Sequence, residues 1–214
     1  MSILAKLKLE LTGNGKSYVL YNGTEQYYKK LRAAYLDIKN GNHNEYLYFS
    51  FITLCSSTLE YSLNFILADY CVEKFGAEKY KTYLEEFISL KFKNKLLLIP
   101  HLITEGKYKI NDNSFAFKKL VQLINLRNKI LHNKEFLKEF ESGIKLDFIN
   151  ENLIIPEGTD DIINFSFEIE DNIIDKIDEK LCLEIAEAMG DFKKYIMIPA
   201  IETTFEETTL IIKQ

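Results

Sequence analysis

The spacing of hydrophobic residues along the chain predicts a series of helices. After Thr24, a predicted N-cap, the apolar residues Tyr28, Leu31 and Ile38 fall on one helical face, and Gly41 ends the helix. The segment from about 44 to 75 also shows helical spacing, and it is apolar on most of its surface, which predicts the central helix of a bundle. Further helices are predicted at about 77–98, 115–133 and 171–196.

Residues at the ends of these helices and between them predict breaks, a cap and a connection. The helix predicted at about 77–98 has a break near Ser89, and Pro100 ends or kinks it. Residues 107–113 form a polar connection, after which Ser114 can cap the next helix. The tail at 199–214 is rich in Thr and Glu and gives no clear assignment.

Short alternating runs predict β-structure at the periphery. Apolar and charged residues alternate at 5–11, and a turn at 12–15 separates them from a second run at 18–21, which is the pattern of a hairpin. Two more β-like runs lie at 144–148 and 162–169. The predicted fold is therefore mainly α: one antiparallel helical bundle with small β elements near the N-terminus and at about 144–169.

Charge is distributed unevenly along the 214 residues. The net charge of −5 is the sum of +6 over residues 1–150 and −11 over residues 151–214, and the stretch 79–138 alone carries +8. Such asymmetry favours an anionic ligand on the basic part. The alternative is that these charges alternate on solvent-exposed helix faces and bind no ligand. The aromatic residues among the lysines at 79–95 are predicted to be a packed helix face rather than base-stacking residues.

Other features restrict the function classes. Cys55, Cys71 and Cys182 are odd in number and far apart, which predicts buried, reduced thiols in a cytoplasmic protein. The uncharged run at 46–59 is too short for a membrane span, so no membrane partner is expected. The sequence has no phosphate-binding loop, dinucleotide fingerprint or paired metal-ligand spacing, and no cofactor or metal is expected.

One segment combines residues that can act on a phosphodiester. The chain contains two arginines and three histidines, and one of each lies in the segment 126–132, which reads LRNKILH. On a helix, Asn128 and His132 lie one turn apart on the same face, and Arg127 lies at the edge of the apolar face. Arginine binds phosphate with two donors, and imidazole titrates near neutral pH.

These are the groups that metal-free RNA cleavage requires. A base removes the 2′-OH proton, an acid protonates the leaving 5′-oxygen, and a cation stabilises the charged phosphorane. One histidine does not easily serve both sides of phosphorus. Two copies of the helix meeting across a two-fold axis would supply both groups.

The arrangement of Arg127, Asn128 and His132 near the end of a helix resembles the Arg-(four to six residues)-His motif of the HEPN superfamily (higher eukaryotes and prokaryotes nucleotide-binding domain). The resemblance covers about residues 45–140 and includes the helix segment 56–65, which looks like the family's early core helix with its polar residue. The chain would then be a single domain, with this HEPN-like core between a hairpin and helix at 1–41 and an acidic extension at 144–214.

The resemblance implies a helical bundle that dimerises across the Arg127–His132 helix. Many members are metal-independent endoribonucleases of toxin–antitoxin, abortive-infection and antiviral defence systems, and others are silent binding modules. On this mapping, Arg127 and His132 are the catalytic pair, Asn128 is the polar neighbour and Glu60 is a supporting residue. RNA is the expected partner, with an antitoxin or regulatory protein as a further one. Three lysines are predicted to bind RNA: Lys118, Lys129 and Lys134.

Structural interpretations of the same residues stay open. His132 is also what a simple helix end looks like, because a cation there meets free carbonyl groups. An alternative for Arg127 is a purely structural role, in which it pairs with a neighbouring carboxylate. Glu60 in an apolar helix needs a partner, and Arg127, a lysine and water are the alternatives. The acidic region can also fold over the basic surface and restrain it.

Overall fold

The computed structural model describes residues 8–11, 17–42, 44–132, 147–149, 152–154, 176–202 and 204–214. Of these residues, 73% are helical, which confirms the predicted mainly α class. The helices are α1 (Thr24–Lys39), α2 (Glu45–Phe75), α3 (Tyr80–Ser89), α4 (Phe92–Ile103), α5 (Phe115–His132), α6 (Glu179–Phe192) and α7 (Ile198–Glu202), with a π-helical segment, Lys193–Met197, between the last two.

Side-chain caps account for the starts of several helices. The Asn44 side chain accepts a hydrogen bond from the backbone N–H of Tyr46 at the start of α2. Ser114 Oγ accepts one from the Phe117 N–H at the start of α5, as the sequence predicts. Each bond satisfies a backbone donor that has no partner within its helix.

The start of α1 differs from the prediction. Thr24 is the first helical residue rather than the N-cap, and Gly23 takes the cap position. A Cβ at Gly23 would lie 2.8 Å from the hydroxyl of Tyr61 in α2, and the Gly23 N–H donates to that hydroxyl at 3.2 Å. A side chain at position 23 would therefore displace the Tyr61 hydroxyl that accepts this hydrogen bond.

The structure also tests the predictions around Ser89 and Pro100. The break predicted near Ser89 is present, because α3 ends there and α4 begins at Phe92. However, α4 continues through Pro100 to Ile103 instead of ending at the proline.

The strands form three small antiparallel pairs. The predicted hairpin is present, with β1 (Lys8–Leu11) paired to β2 (Ser17–Leu20). The strands β4 (Asp147–Ile149) and β5 (Asn152–Ile154) form another, while the β-like run predicted at 162–169 lies outside the described residues.

The third pair was missed by the sequence analysis. The polar connection at 107–113 contains β3 (Tyr108–Ile110), which pairs with β6 (Ile211–Lys213) in the C-terminal tail. The Asn111 N–H donates to the Leu210 carbonyl and continues the pairing. Strand pairing between segments a hundred positions apart leaves no local pattern to detect.

One hydrophobic core connects these elements, with α2 at its centre. The helix α2 contacts α1, α3, α4, α5 and α6, and α6 packs on α5 as well. Fully buried side chains come from both ends of the chain: Ile38, Phe51, Leu59, Leu63, Leu96, Leu120, Ile185 and Phe192. The acidic C-terminal part therefore supplies a core helix and is not only an appendage.

The apolar composition of α2 agrees with its position at the centre of the bundle. Among the described residues, α2 is the helix that is long and apolar enough to cross a membrane by length and composition. In the folded chain, 61% of its most apolar 18-residue window is buried by the rest of the protein. This burial is what the sequence predicts for the central helix of a bundle.

The predicted burial of the cysteines is confirmed. Cys55, Cys71 and Cys182 are buried free thiols. Removal from water raises the pKa of all three, to about 12 at Cys182, because burial disfavours the thiolate.

Core packing around α2 gives a first prediction. Replacing Leu63, which is fully buried in α2, by Ala is expected to lower the free energy of unfolding by about 2–5 kcal/mol, since it leaves a cavity. The control Leu36→Ala, at a site that is 42% exposed, is expected to cost about 0.5 kcal/mol or less. Urea unfolding followed by circular dichroism measures both, and equal losses would contradict the assignment of α2 as the core helix.

Candidate functional site

The helix α5 separates its residues into a core face and a polar face. Its buried residues are Ala116, Phe117, Leu120, Leu123, Ile124 and Leu126. Lys118, Asn125, Asn128 and Lys129 are exposed on the other side. His132 is the last residue of the helix, one turn after Asn128 along its axis. The candidate residues therefore belong to one continuous helix that ends at the histidine.

Arg127 lies at the boundary of these two faces and is held from two sides. Its Nη2 donates to Glu60 Oε2 on α2 at 3.2 Å, and its Nη1 donates to Asn128 Oδ1 at 3.1 Å. The side chains of Arg127 and Glu60 are 23% and 35% exposed, so the ion pair faces solvent in part. Of the alternatives that the sequence left open for Glu60, the structure contains the pair with Arg127.

An aromatic ring completes the surroundings of the guanidinium. The Cζ atom of Arg127 lies 6.0 Å from the centre of the Phe92 ring, at the start of α4. Phe92 is buried, so the ring is a fixed surface beside the cation. Glu60, Asn128 and Phe92 together restrict the orientation of Arg127 before any ligand binds.

A second cation lies deeper in the same region. Lys95, one turn after Phe92 on α4, is only 3% exposed, and its Nζ donates to Asn64 Oδ1 on α2 at 3.0 Å. Asn64 follows Glu60 by one helical turn, so α2 presents the two acceptors side by side. The site is thus a cluster of two cations and one carboxylate contributed by three helices.

Electrostatics couples the members of this cluster. Burial lowers the pKa of Lys95 from its usual value, and the positive charge of Arg127 lowers it further, whereas the carboxylate of Glu60 opposes both effects. The charges of Glu60, Lys95 and Arg127 sum to +1 when all three groups are ionised. Such an arrangement at a partly exposed boundary suits an anion.

Two of the three predicted RNA-binding lysines lie within the described residues. Lys118 and Lys129 are exposed on α5, and eleven helical positions separate them by about 17 Å along the same face. Lys134 lies outside the described residues. For His132 the structure describes the helical backbone.

The sequence analysis missed Lys95 and Asn64. It grouped Lys95 with the neighbouring lysines at 79–93, which are all exposed on α3, on α4 or at their N-caps. The available signal was the spacing on α4, because Phe92, Leu96 and Ile99 form its buried stripe and Lys95 falls within that stripe. The prediction that the aromatic residues of this region are packed holds for Phe92, which is buried, and Phe87 packs against Tyr70. It is wrong for Tyr83, which stacks on Phe75 but is 42% exposed.

The acidic C-terminal part contacts the basic helix directly. Lys119 on α5 forms an ion pair of 2.5 Å with Glu184 on α6. This pair occupies a lysine next to the predicted RNA-binding residue Lys118. It lies between two packed core helices, so it contributes to the bundle itself.

Within the described residues, no group of three or more His, Cys, Asp or Glu side chains could hold a metal ion. Comparison of the chain with protein-family models, with curated proteins and with solved structures finds no match.

Burial of Lys95 predicts a pH dependence of stability. Its pKa is lower in the folded than in the unfolded chain, so between the two values the unfolded chain binds more protons, and stability rises with pH. We expect the free energy of unfolding of the wild type, relative to Lys95→Met, to increase between neutral pH and about pH 10. Urea unfolding of both proteins across this range measures it, and a constant difference would be inconsistent with a buried, titrating Lys95.

Proposed function

We propose that the chain is a metal-independent endoribonuclease of HEPN type, which cleaves single-stranded RNA as a cytoplasmic toxin or defence effector. The observation that carries the proposal is the orientation of Arg127. Its guanidinium is held at a partly exposed boundary by Glu60 and Asn128, on the helix that ends at His132. Fixed donors that meet developing charge are the usual source of catalysis in phosphate chemistry.

Each residue has a defined part in the proposed reaction. His132 acts as the general base on the 2′-OH, or as the general acid on the 5′-oxygen. The 2′-oxygen forms a bond to phosphorus, the bond to the 5′-oxygen breaks, and a 2′,3′-cyclic phosphate results. Arg127 binds the non-bridging oxygens and stabilises their charge, while Asn128 orients its guanidinium. Because one histidine cannot easily serve both sides, a homodimer pairs two such helices.

Local charge supports an RNA ligand in spite of the acidic average. The cluster of Glu60, Lys95 and Arg127 has a net charge of +1, and Lys118 and Lys129 carry further positive charge on the exposed side of α5, nearly opposite Arg127 in helical angle. Their spacing of about 17 Å covers several nucleotides of an extended strand. Binding of RNA by these groups would weaken with salt.

The ion pair itself favours one alternative function. Arg127 is already engaged by Glu60, and in a silent HEPN scaffold this contact would serve only to join α2 and α5. Such a protein would bind RNA, a nucleotide or a partner protein without cleaving it. The two functions differ in whether Arg127 and His132 are required for a chemical step.

Cleavage of a labelled single-stranded RNA in EDTA tests the proposal. We expect the wild type to release products that end in a 2′,3′-cyclic phosphate. Arg127→Ala and His132→Ala are each expected to reduce the rate by about 100-fold or more, since one removes charge stabilisation and the other proton transfer. A strand with 2′-deoxy sugars should not be cleaved, because it lacks the nucleophile.

The composition of the chain supplies matched controls. Arg32 on α1 is the other arginine, and His101 on α4 is an exposed histidine. Arg32→Ala and His101→Ala should cleave RNA at the rate of the wild type. Cleavage that survives in the Arg127 and His132 variants would refute the proposed site. RNA binding without cleavage would identify the silent scaffold.

A further inference from the structure

Lys95 is a buried cation with few partners. An ammonium group carries three donors, and among the described residues its Nζ makes one hydrogen bond, to the neutral amide oxygen of Asn64. Burying a charge without full compensation is costly, and an apolar side chain would fit the buried stripe of α4 better. A lysine at this position therefore calls for an electrostatic reason.

The reason lies in the position of Lys95 relative to Glu60 and Arg127. On α2, Glu60 and Asn64 are one turn apart, and each receives a cation from a different helix: Arg127 from α5 and Lys95 from α4. Arg127 is the outer cation, with 23% of its side chain exposed, and Lys95 is the inner one. The charges of Glu60 and Arg127 both affect the pKa of the inner cation, Lys95.

This arrangement has a consequence for the binding of a phosphate. If Arg127 turns its guanidinium from Glu60 towards an anion, it leaves a half-buried carboxylate without its cation and next to the anion. Removing one partner of such a pair is expensive because the remaining charge is poorly solvated. A second cation that stays in place beside Glu60 removes most of this cost.

We propose that Lys95 is a positioning residue of the candidate site, which neutralises Glu60 while Arg127 transfers its guanidinium from the Glu60 carboxylate to a phosphate of RNA. The inference rests on the proposed function and adds a residue to it. Lys95 is too deeply buried to contact the strand itself and acts through Glu60 and Arg127. The pair of Lys95 and Glu60 is then neutral, and the phosphate meets the full charge of Arg127.

Binding of an RNA strand that cannot react isolates this step. A fluorescent oligonucleotide with 2′-O-methyl groups is titrated with protein at low salt, and anisotropy gives the dissociation constant. Lys95→Met is expected to weaken binding by about tenfold or more, because Arg127 stays on Glu60. The matched control is Lys93→Met, an exposed lysine two positions away on α4, which should change binding by about threefold or less.

A double variant separates the electrostatic role from a structural one. In Lys95→Met with Glu60→Gln, the carboxylate that competes for Arg127 is also absent, so binding should return to within about threefold of the wild type. If Lys95 only supports the packing of α4, the second substitution will leave binding as weak as in Lys95→Met or weaken it further. That result would overturn the proposal.

Nuclear magnetic resonance of Lys95 in the wild type gives a readout that needs no folded variant. Its side-chain Cε shift follows the protonation of the amine, and adding the oligonucleotide should raise the pKa of Lys95, because Arg127 moves away and Glu60 then interacts with Lys95 alone. No change at saturation would contradict the proposal. Failure of the wild type to bind or cleave RNA would overturn the proposed function as well, whereas binding and cleavage that persist in Lys95→Met overturn only the role of Lys95.

Discussion

The helix α2 must be covered on nearly all sides, because its apolar residues are distributed around the helix instead of along one stripe. Its buried hydroxyl groups do not need partners from other helices, since Thr58 and Ser62 donate to backbone carbonyls one turn earlier. Between Glu45 and Asp69, the only charged residue is Glu60. Helices α1, α3, α4, α5 and α6 pack around α2, and the Glu60 side chain stays 35% exposed where Arg127 reaches it from α5.

The candidate site follows from the position of this carboxylate. A carboxylate in an apolar helix requires a cation, and Arg127 supplies it from α5. Lys95 reaches α2 from α4 and binds Asn64, one turn after Glu60. The same contacts hold α4 and α5 on the central helix. The cluster therefore has a structural role in every case, and its net positive charge and partial exposure are what suit it to an anion.

Average charge is a poor guide to this surface. The chain is acidic as a whole, but the acidic residues are concentrated after residue 150, and the helix α6 from that part packs its apolar face into the common core. Its contact with the basic part runs through the Lys119–Glu184 pair between two core helices. The field that a ligand meets depends on the charges near the site, with distant ones screened by salt.

Most of the helices, and the placement of Arg127 and Asn128 on one of them, can be predicted from residue spacing and caps, because these are local features of the chain. The sequence raised the Glu60–Arg127 pair as one alternative among three. Packing of the whole chain decides that this pair forms, that Lys95 is buried at Asn64, and that Tyr108–Ile110 pairs with the C-terminal strand. These contacts join residues from 31 to 105 positions apart. Packing of separate helices creates them, and no periodicity along the chain records which faces will meet.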